Sequence, residues 1–279
     1  MDLKPILYGL ASALAWGAGD FGGGVASRRA NAYAVIIWAD VIAMLVVGSL
    51  GFLLHEPFPS VHDIWLALAS GLFGGLGILL LYQSFAEGKM SVAAPVSALT
   101  AGMLPVLVGI FIEGLPALTV ILGIVLALVA IWLVAREEDS ALEFNWSNVR
   151  MPLISGALFA MFFILMDRAE GSSVLWLVVI LRISAITTLA SIAVWKKQPL
   201  APPLKIWYFL IYIGIFDMLG NLFFLLASRA GRLDVSSVLA SLYPGATVLL
   251  AWIFLHEHIS NWQRIGIACA LVAIVLIAV

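Results

Sequence analysis

Long apolar stretches, separated by short polar segments, run along almost the whole chain of 279 residues. Each stretch has about 20 apolar residues, the length that an α-helix needs to cross a lipid bilayer. We therefore predict an all-α integral membrane protein with ten transmembrane helices. The predicted spans are 5–26, 33–54, 63–86, 92–112, 117–135, 152–168, 174–195, 205–228, 235–255 and 262–279.

The apolar pattern occurs twice, at a fixed offset of 143 residues. The sequence G-L-F-G-G-L-G-I-L from Gly71 to Leu79 returns as G-I-F-D-M-L-G-N-L from Gly214 to Leu222. Between residues 71–135 and their copies, 21 of 65 positions are identical. Because an apolar composition does not by itself repeat glycine at one offset, we interpret the chain as an internal duplication.

Each copy holds five spans, so the second copy enters the membrane from the side opposite to the first. This arrangement is an inverted-topology repeat. We predict a first five-helix repeat over 1–137, a linker over 138–150 and a second five-helix repeat over 151–279.

The composition excludes several classes of protein. With 63% hydrophobic residues, 11% charged residues and a mean hydropathy of +1.12, the chain has no room for a soluble enzyme domain, so we do not expect an enzyme. A net charge of −2 suggests no nucleic-acid partner. The single Cys269 and the cluster His256-Glu257-His258 lack the number or spacing of ligands that a metal site needs. We therefore expect no metal and no cofactor.

The basic residues of the predicted loops are distributed unevenly. Nine Lys and Arg residues lie in the loops that follow spans 1, 3, 5, 7 and 9, and four lie on the other side. The positive-inside rule applied to this count alone would place both termini outside.

The first span carries an acidic residue, Asp20, within the sequence W-G-A-G-D-F-G-G-G. An Asp about 15 residues into a helix lies about 22 Å from the start of that helix, well inside the hydrocarbon layer. A charge there costs at least ~2.5–3.5 kcal/mol, so Asp20 must face a wet cavity or carry a proton. Trp16 lies one turn earlier on the same face. The alternative is a polar residue at a helix end that the following glycines unwind.

A second polar pair distinguishes the two copies. Asp217 and Asn221 stand where the first copy has Gly74 and Ile78, and they lie one helical turn apart near the middle of the membrane. An unsatisfied polar group costs several kcal/mol at that depth. We therefore expect the pair to meet water, substrate or another polar group.

Two further charged residues, Asp40 and Arg182, occupy nearly corresponding places, each about eight residues into its span. We expect a structural role, in which Arg182 either extends towards the membrane surface or pairs with Asp40 across the repeat axis. Tyr82, near the end of the third span, is expected to face a cavity or to anchor the helix at the interface.

The helix-disturbing prolines of spans 4 and 9 indicate another part of a pocket. Thr100 and Tyr243 match each other under the repeat offset and lie near these prolines, where freed carbonyl groups are tolerated if they line a cavity. In span 6, Phe163 occupies the place of Trp16 when Gly9 is aligned with Gly156. All of these residues are candidates for pocket lining.

Three features occur together: ten spans in two inverted copies, the sequence W-G-A-G-D-F, and the acidic residues Glu113 and Glu257 after spans 4 and 9. In these features the chain resembles the drug/metabolite transporter superfamily, specifically its EamA-type exporters. The resemblance implies a central cavity surrounded by spans 1, 3, 4, 6, 8 and 9. It also implies cytoplasmic termini, in contrast to the charge count. The substrate-binding residues that it indicates are Trp16, Asp20, Tyr82, Thr100, Phe163, Asp217, Asn221 and Tyr243.

We therefore expect a secondary transporter of small amphipathic metabolites, amino acids or related amines, that works by alternating access as an exporter. Protons are the candidate coupling ion and Asp20 the candidate proton-coupling residue. The alternatives are an organic-cation or drug efflux protein and, from a different class, a channel or a non-transporting membrane scaffold. The expected partners are the lipid bilayer and a small-molecule substrate. The expected location is the plasma (inner) membrane of a prokaryote, as a monomer or, alternatively, a dimer.

Overall fold

The computed structural model describes residues 3–87, 90–134, 146–169, 173–255 and 260–278, which form helices and no strands. A short 3-10 turn, Leu204–Ile206, precedes the helix that begins at Trp207. The helices of these ranges are α1 Lys4–Ser27, α2 Ala32–Leu53, α3 Val61–Ala86, α4 Met90–Glu113, α5 Leu118–Val134, α6 Trp146–Asp167, α7 Val174–Trp195, α8 Trp207–Ala230, α9 Leu233–Ala240, α10 Tyr243–Leu255 and α11 Asn261–Ala278.

Polar side chains begin three of the long helices directly after short connections. The side chain of Asn31 accepts a hydrogen bond from the backbone of Tyr33 at 3.0 Å at the start of α2. Ser60 and Ser173 cap α3 and α7 in the same way. Such caps satisfy backbone N–H groups that have no partner within the helix. The chain can therefore reverse direction within a few residues.

Six stretches of the described helices are long and apolar enough to cross a membrane. They are Ala32–Leu53, Val61–Ala86, Ala93–Glu113, Val149–Asp167, Val174–Trp195 and Leu204–Ala230. Two shorter apolar helices, Leu118–Val134 and Asn261–Ile277, accompany them. Large apolar side chains such as Phe52, Phe111 and Trp195 are exposed on the outside of the bundle, as lipid contact requires. The helices are those of a multi-pass integral membrane protein.

The predicted span 235–255 is not one continuous helix. Helix α9 ends at Ala240, the next two residues form a turn, and α10 begins at Tyr243. Pro244 has no backbone N–H to donate, which favours a helix start at this point. The corresponding first-copy helix α4 contains Pro95 and Pro105 and remains continuous. The disturbance that Pro244 predicted in this span is therefore a break between two helices.

The two copies pack against each other in matching pairs of helices. Helix α1 lies along α8 and its counterpart α6 lies along α3, while α2 and α7 contact each other and α5 contacts α11. Glycines allow the closest approaches. A Cβ on Gly71 would lie 2.0 Å from the carbonyl oxygen of Leu181, and one on its copy Gly214 would lie 2.5 Å from that of Ala39. The glycines that revealed the duplication are thus contact points between the copies.

Candidate functional site

A cavity of about 90 Å³ lies between the two copies, and α1, α2, α3, α4, α6, α7, α8 and α10 all contribute to its wall. Since a single water needs on the order of 10–15 Å³ of such space, the cavity has room for several waters or a small organic molecule. Most of the lining is apolar, with a few charged and hydroxyl groups among the apolar side chains. This combination is typical of a small-molecule site.

Seven of the eight residues that the sequence indicated line this cavity. They are Trp16, Asp20, Tyr82, Phe163, Asp217, Asn221 and Tyr243. The eighth, Thr100, does not contribute to the lining. Its hydroxyl donates to the carbonyl of Val96 at 2.8 Å, and its side chain lies against Gly156 of α6. The neighbouring Ala101 lines the cavity instead.

A buried guanidinium connects two carboxylates in the cavity wall. Arg182 on α7 forms ion pairs with Asp40 on α2 and with Asp217 on α8, where its Nη2 lies 2.5 Å from Asp217 Oδ2. The side chains of Arg182 and Asp40 are each 6% exposed, whereas that of Asp217 is 29% exposed. Asp217 is thus the partner that an incoming molecule can reach.

The residues Asp40 and Arg182 were expected to be structural, and both line the cavity. The signal that pointed to them was the correspondence of their positions in the two copies. That correspondence suggested either an Arg182 that extends towards the membrane surface or an ion pair between the two residues, and the structure contains the ion pair. The third member, Asp217, was identified independently, because the first copy has a glycine at its position.

Asp20 lies in the same cavity without an ion-pair partner among the described residues. It is 7% exposed and is close enough to Asp217, Tyr82 and Tyr243 to interact with them electrostatically. Helix α1 approaches α8 closely here, since a Cβ on Gly19 would lie 3.5 Å from the backbone nitrogen of Asp217. Two carboxylates from different copies therefore face one space.

The remaining polar groups of the cavity are held in place by backbone contacts. Asn221 donates from its amide to the backbone carbonyl of Asp217 at 2.6 Å. The hydroxyl of Tyr243 donates to the carbonyl of Ala94 at 3.3 Å. The Tyr82 ring packs against α1, because a Cβ on Gly23 would lie 2.0 Å from the Tyr82 hydroxyl. These side chains are fixed in position before any ligand arrives.

Four aromatic rings form a layer at one end of the cavity. The ring centroids of Phe163 and Phe224 are 4.5 Å apart, and the Trp16 ring lies 5.6 Å from Phe163 and 5.9 Å from Phe224. Phe162 completes the layer, 5.6 Å from Phe163. Phe224 is fully buried beneath the cavity lining. The layer offers aromatic surface to a ligand and separates the cavity from the end of the bundle where α8 ends.

At that same end, a polar cluster joins the turn after α4 to the start of α9. Arg232 donates to the carbonyl of Gly114 at 2.7 Å and to the carboxylate of Asp234 at 2.8 Å. The Glu113 carboxylate lies 3.6 Å from Arg232 and accepts from the backbone N–H of Leu233 at 3.3 Å. The hydrogen bond with Asp234 raises the pKa of Arg232 above its ordinary value. Glu113 thus contacts the second copy.

The cluster His256-Glu257-His258 lies outside the described residues.

The comparison with known families decides what kind of protein this is. The model of the EamA-like transporter family matches residues 3–136 and, a second time, residues 149–279. The chain belongs to the EamA-like transporter family. This membership places it in the drug/metabolite transporter superfamily, whose members are transporters and not enzymes.

The solved structures agree with the fold of an EamA-like transporter. One crystal structure has a TM-score of 0.81 with this chain at 13% sequence identity, covering 99% of this chain and 96% of the other. At that identity the likeness shows the fold alone. No curated protein matches the chain. Among the described residues, no group of three or more His, Cys, Asp or Glu side chains is arranged to hold a metal ion.

Proposed function

We propose that this EamA-like transporter is a secondary transporter that moves small amphipathic metabolites, amino acids or related amines, by alternating access. It would consist of ten transmembrane helices in two inverted repeats, residues 1–137 and 151–279, joined by the linker 138–150. The two repeats would rock against each other about the cavity. One observation carries the proposal: the cavity lies between the two copies and holds Asp20, a buried carboxylate without an ion-pair partner among the described residues. A group of this kind is expected in a transport pathway.

The charge of the cavity favours substrates that carry an amino group. Asp20 and Asp217 give it negative character, and the aromatic layer around Trp16 provides surface for apolar or cationic parts of a substrate. Export is the direction that we propose, as the family resemblance implies. Organic-cation or drug efflux is the second candidate, because the same carboxylates and rings would also hold a larger cation.

Protons are the proposed coupling ion. Asp20 can be neutralised either by a proton or by the ammonium group of a substrate. Because the carboxylate binds only one of them at a time, binding of the substrate requires release of the proton, so the two are exchanged. No second coupling residue is then required. The remaining proposed binding residues, Trp16, Tyr82, Thr100, Phe163, Asn221 and Tyr243, would orient the substrate. Of these, Thr100 would act only indirectly, through its packing on α6.

We further propose that the protein lies in the plasma (inner) membrane of a prokaryote as a monomer with cytoplasmic termini. The orientation rests on the family resemblance, against the nine-to-four distribution of basic loop residues. A C-terminal fluorescent reporter that matures only in the cytoplasm measures it. A bright reporter supports the orientation, and a dark reporter on expressed protein overturns it.

A thermal-shift screen of the purified protein tests the substrate class. Amino acids, polyamines, nucleosides and quaternary amines are compared, since a ligand that binds the native state raises its melting temperature. Compounds that stabilise the protein are then tested for counterflow in proteoliposomes. Saturable counterflow supports a carrier, whereas a voltage-dependent conductance far above carrier turnover indicates a channel. Binding that survives neutralisation of both Asp20 and Asp217 would contradict the proposed site. A protein that moves none of the compounds and tolerates neutralisation of both acids would favour a scaffold.

A further inference from the structure

The charged groups of the cavity are not balanced. Three carboxylates line it, Asp20, Asp40 and Asp217, and Arg182 is the cationic residue in the described lining. The other polar groups there are the uncharged side chains of Asn221, two tyrosines and Trp16. An empty cavity with all four groups ionised therefore lacks positive charge.

Arg182 offers nothing to an incoming anion. Its Nη1 is engaged by Asp40 and its Nη2 lies against Asp217. Its Nε and Nη2 both have essentially no accessible surface and no hydrogen-bond partner among the described residues, and Nη2 is within ion-pair distance of Asp217 alone, so an incoming anion can reach neither nitrogen. A ligand carboxylate would have to displace one of the two aspartates and would then face Asp20 at close range. Juxtaposed like charges of this kind strongly disfavour binding, which excludes carboxylate groups from the site.

A cation, in contrast, finds two acceptors. Asp20 is buried and lines the cavity with no hydrogen bond or ion pair among the described residues, and Asp217 is its partly exposed neighbour from the other copy. An ammonium group has three donors and can bind both carboxylates. The aromatic rings of Trp16 and Phe163 stand beside this space and would hold the apolar body of the ligand.

We propose that the cavity takes an organic cation without a carboxylate, whose charged group binds Asp20 and Asp217 and displaces Arg182 from Asp217. Arg182 acts as a tethered competitor that neutralises Asp217 while the cavity is empty and keeps its buried pair with Asp40 when the ligand is bound. This inference rests on the proposed transport function and narrows its substrate class to amines, excluding zwitterionic amino acids.

Four probes with the same benzyl group but different charges test the proposal. They are phenethylamine, phenylalanine amide, phenylalanine and phenylpropionate, titrated calorimetrically into the purified full-length protein. We expect the two cations to bind with dissociation constants at least about tenfold lower than that of phenylalanine, and phenylpropionate to bind weakest. Equal or tighter binding of phenylalanine or phenylpropionate overturns the proposal. So does the failure of all four probes to bind at millimolar concentrations.

Removal of the competitor tests the role of Arg182. The double variant Asp40→Asn/Arg182→Gln removes a buried pair of opposite charges, so the net charge is unchanged and Asp217 becomes free. Phenethylamine should then bind on the order of tenfold more tightly, because a tethered group competes at a high effective concentration. Asp217→Asn should weaken its binding. Glu56→Gln, which neutralises a carboxylate in the loop after α2, is the control and should change neither value.

A folded double variant that binds phenethylamine no more tightly than the wild type overturns the competitor role. If the double variant does not fold, Arg182→Lys supplies the measurement, since lysine keeps the charge but loses the fork that holds two carboxylates together. Tighter binding of phenethylamine to Arg182→Lys supports the proposal, and unchanged or weaker binding contradicts it.

Transport in proteoliposomes separates this inference from the proposed function. Counterflow of phenethylamine but not phenylalanine supports both. If phenylalanine is moved and phenethylamine is not, the transport function holds and the cation inference fails. If phenethylamine binds as expected but is never moved, the site is correctly assigned and the transport function fails.

Discussion

Arg182 and Asp40 form a buried ion pair between corresponding helices of the two copies, α7 and α2. Both side chains are 6% exposed, and they lie 142 residues apart in the sequence. A second carboxylate, Asp217, reaches the other side of the same guanidinium. The pair therefore holds the two copies together at the wall of the cavity, and its strength affects both folding and binding.

The first prediction concerns the stability that this pair provides. Arg182→Gln leaves two carboxylates without a partner and should lower the free energy of unfolding by about 3–5 kcal/mol, the cost of breaking a buried pair. Asp40→Asn should cost less, because Arg182 keeps Asp217. The double variant should be more stable than the sum of the single effects implies. Denaturant titration in mixed micelles measures all three, and strictly additive losses would show that the pair contributes nothing.

The second prediction concerns pH. A proton and a substrate cation neutralise the same carboxylate, so the affinity for phenethylamine should fall as the pH is lowered through the range in which Asp20 titrates. Asp20→Asn mimics the protonated carboxyl group, and it should keep the fold while abolishing pH-driven uptake into proteoliposomes. Asp20→Glu should retain coupling with a displaced pH optimum.

Trp16→Ala serves as the control for that experiment. It should weaken binding, because the indole lines the cavity, and it should leave the pH dependence where it was. If Asp20→Asn transports at the wild-type rate with an unchanged pH profile, Asp20 is not the coupling residue and Asp217 becomes the next candidate.

The third prediction concerns the close contact of α3 with α7. In Gly71→Ala the new methyl group would meet the carbonyl oxygen of Leu181 at 2.0 Å, so the two helices must separate. Overpacking of this kind typically costs about 1–3 kcal/mol of stability. The movement also shifts Arg182, the next residue, so cation binding should weaken as well. Thermal unfolding and calorimetric titration measure the two effects.

Gly245→Ala is the matched control, because, apart from its chain neighbours and the backbone of its own helix, no described atom lies within 4 Å of the position that its Cβ would occupy. Here the substitution reduces the freedom of the unfolded chain and should leave stability unchanged or raise it by roughly 0.4–1 kcal/mol. Equal losses of stability in the two alanine variants would contradict the close-contact explanation.

The fourth prediction concerns the polar cluster around Arg232. The pair of Arg232 with Glu113 is partly exposed, but the carboxylate of Asp234 is fully buried, so Arg232→Gln should lower the free energy of unfolding by about 1–3 kcal/mol. The variant also loses the hydrogen bonds that hold the turn after α4 against the start of α9. Hydrogen–deuterium exchange should therefore speed up in residues 114–117 and 231–235. Arg264 is an exposed arginine at the opposite end of the bundle, and the variant Arg264→Gln should show no such change. Equally fast exchange in these residues in both variants would contradict the prediction.

The sequence predicted the helices and the duplication because these depend on local properties. Span length follows from the thickness of a bilayer, and a fixed glycine offset survives even where most side chains have changed. Polar residues in apolar segments, such as Asp20 and Asp217, were identifiable for the same reason, since a membrane tolerates them only where they have a function or a partner. Seven of the eight candidate residues accordingly line one cavity.

The tertiary structure decided which face of each helix points inward and which charges meet. Helices that are apolar on every side carry little information about their rotation, so Thr100 could not be placed by matching it to Tyr243. The two residues face differently because α10 begins anew at Tyr243, whereas Thr100 lies within the continuous α4. Likewise, Arg182 lies between Asp40 and Asp217 only because three helices from the two copies converge there. This convergence depends on how closely the glycines let those helices approach.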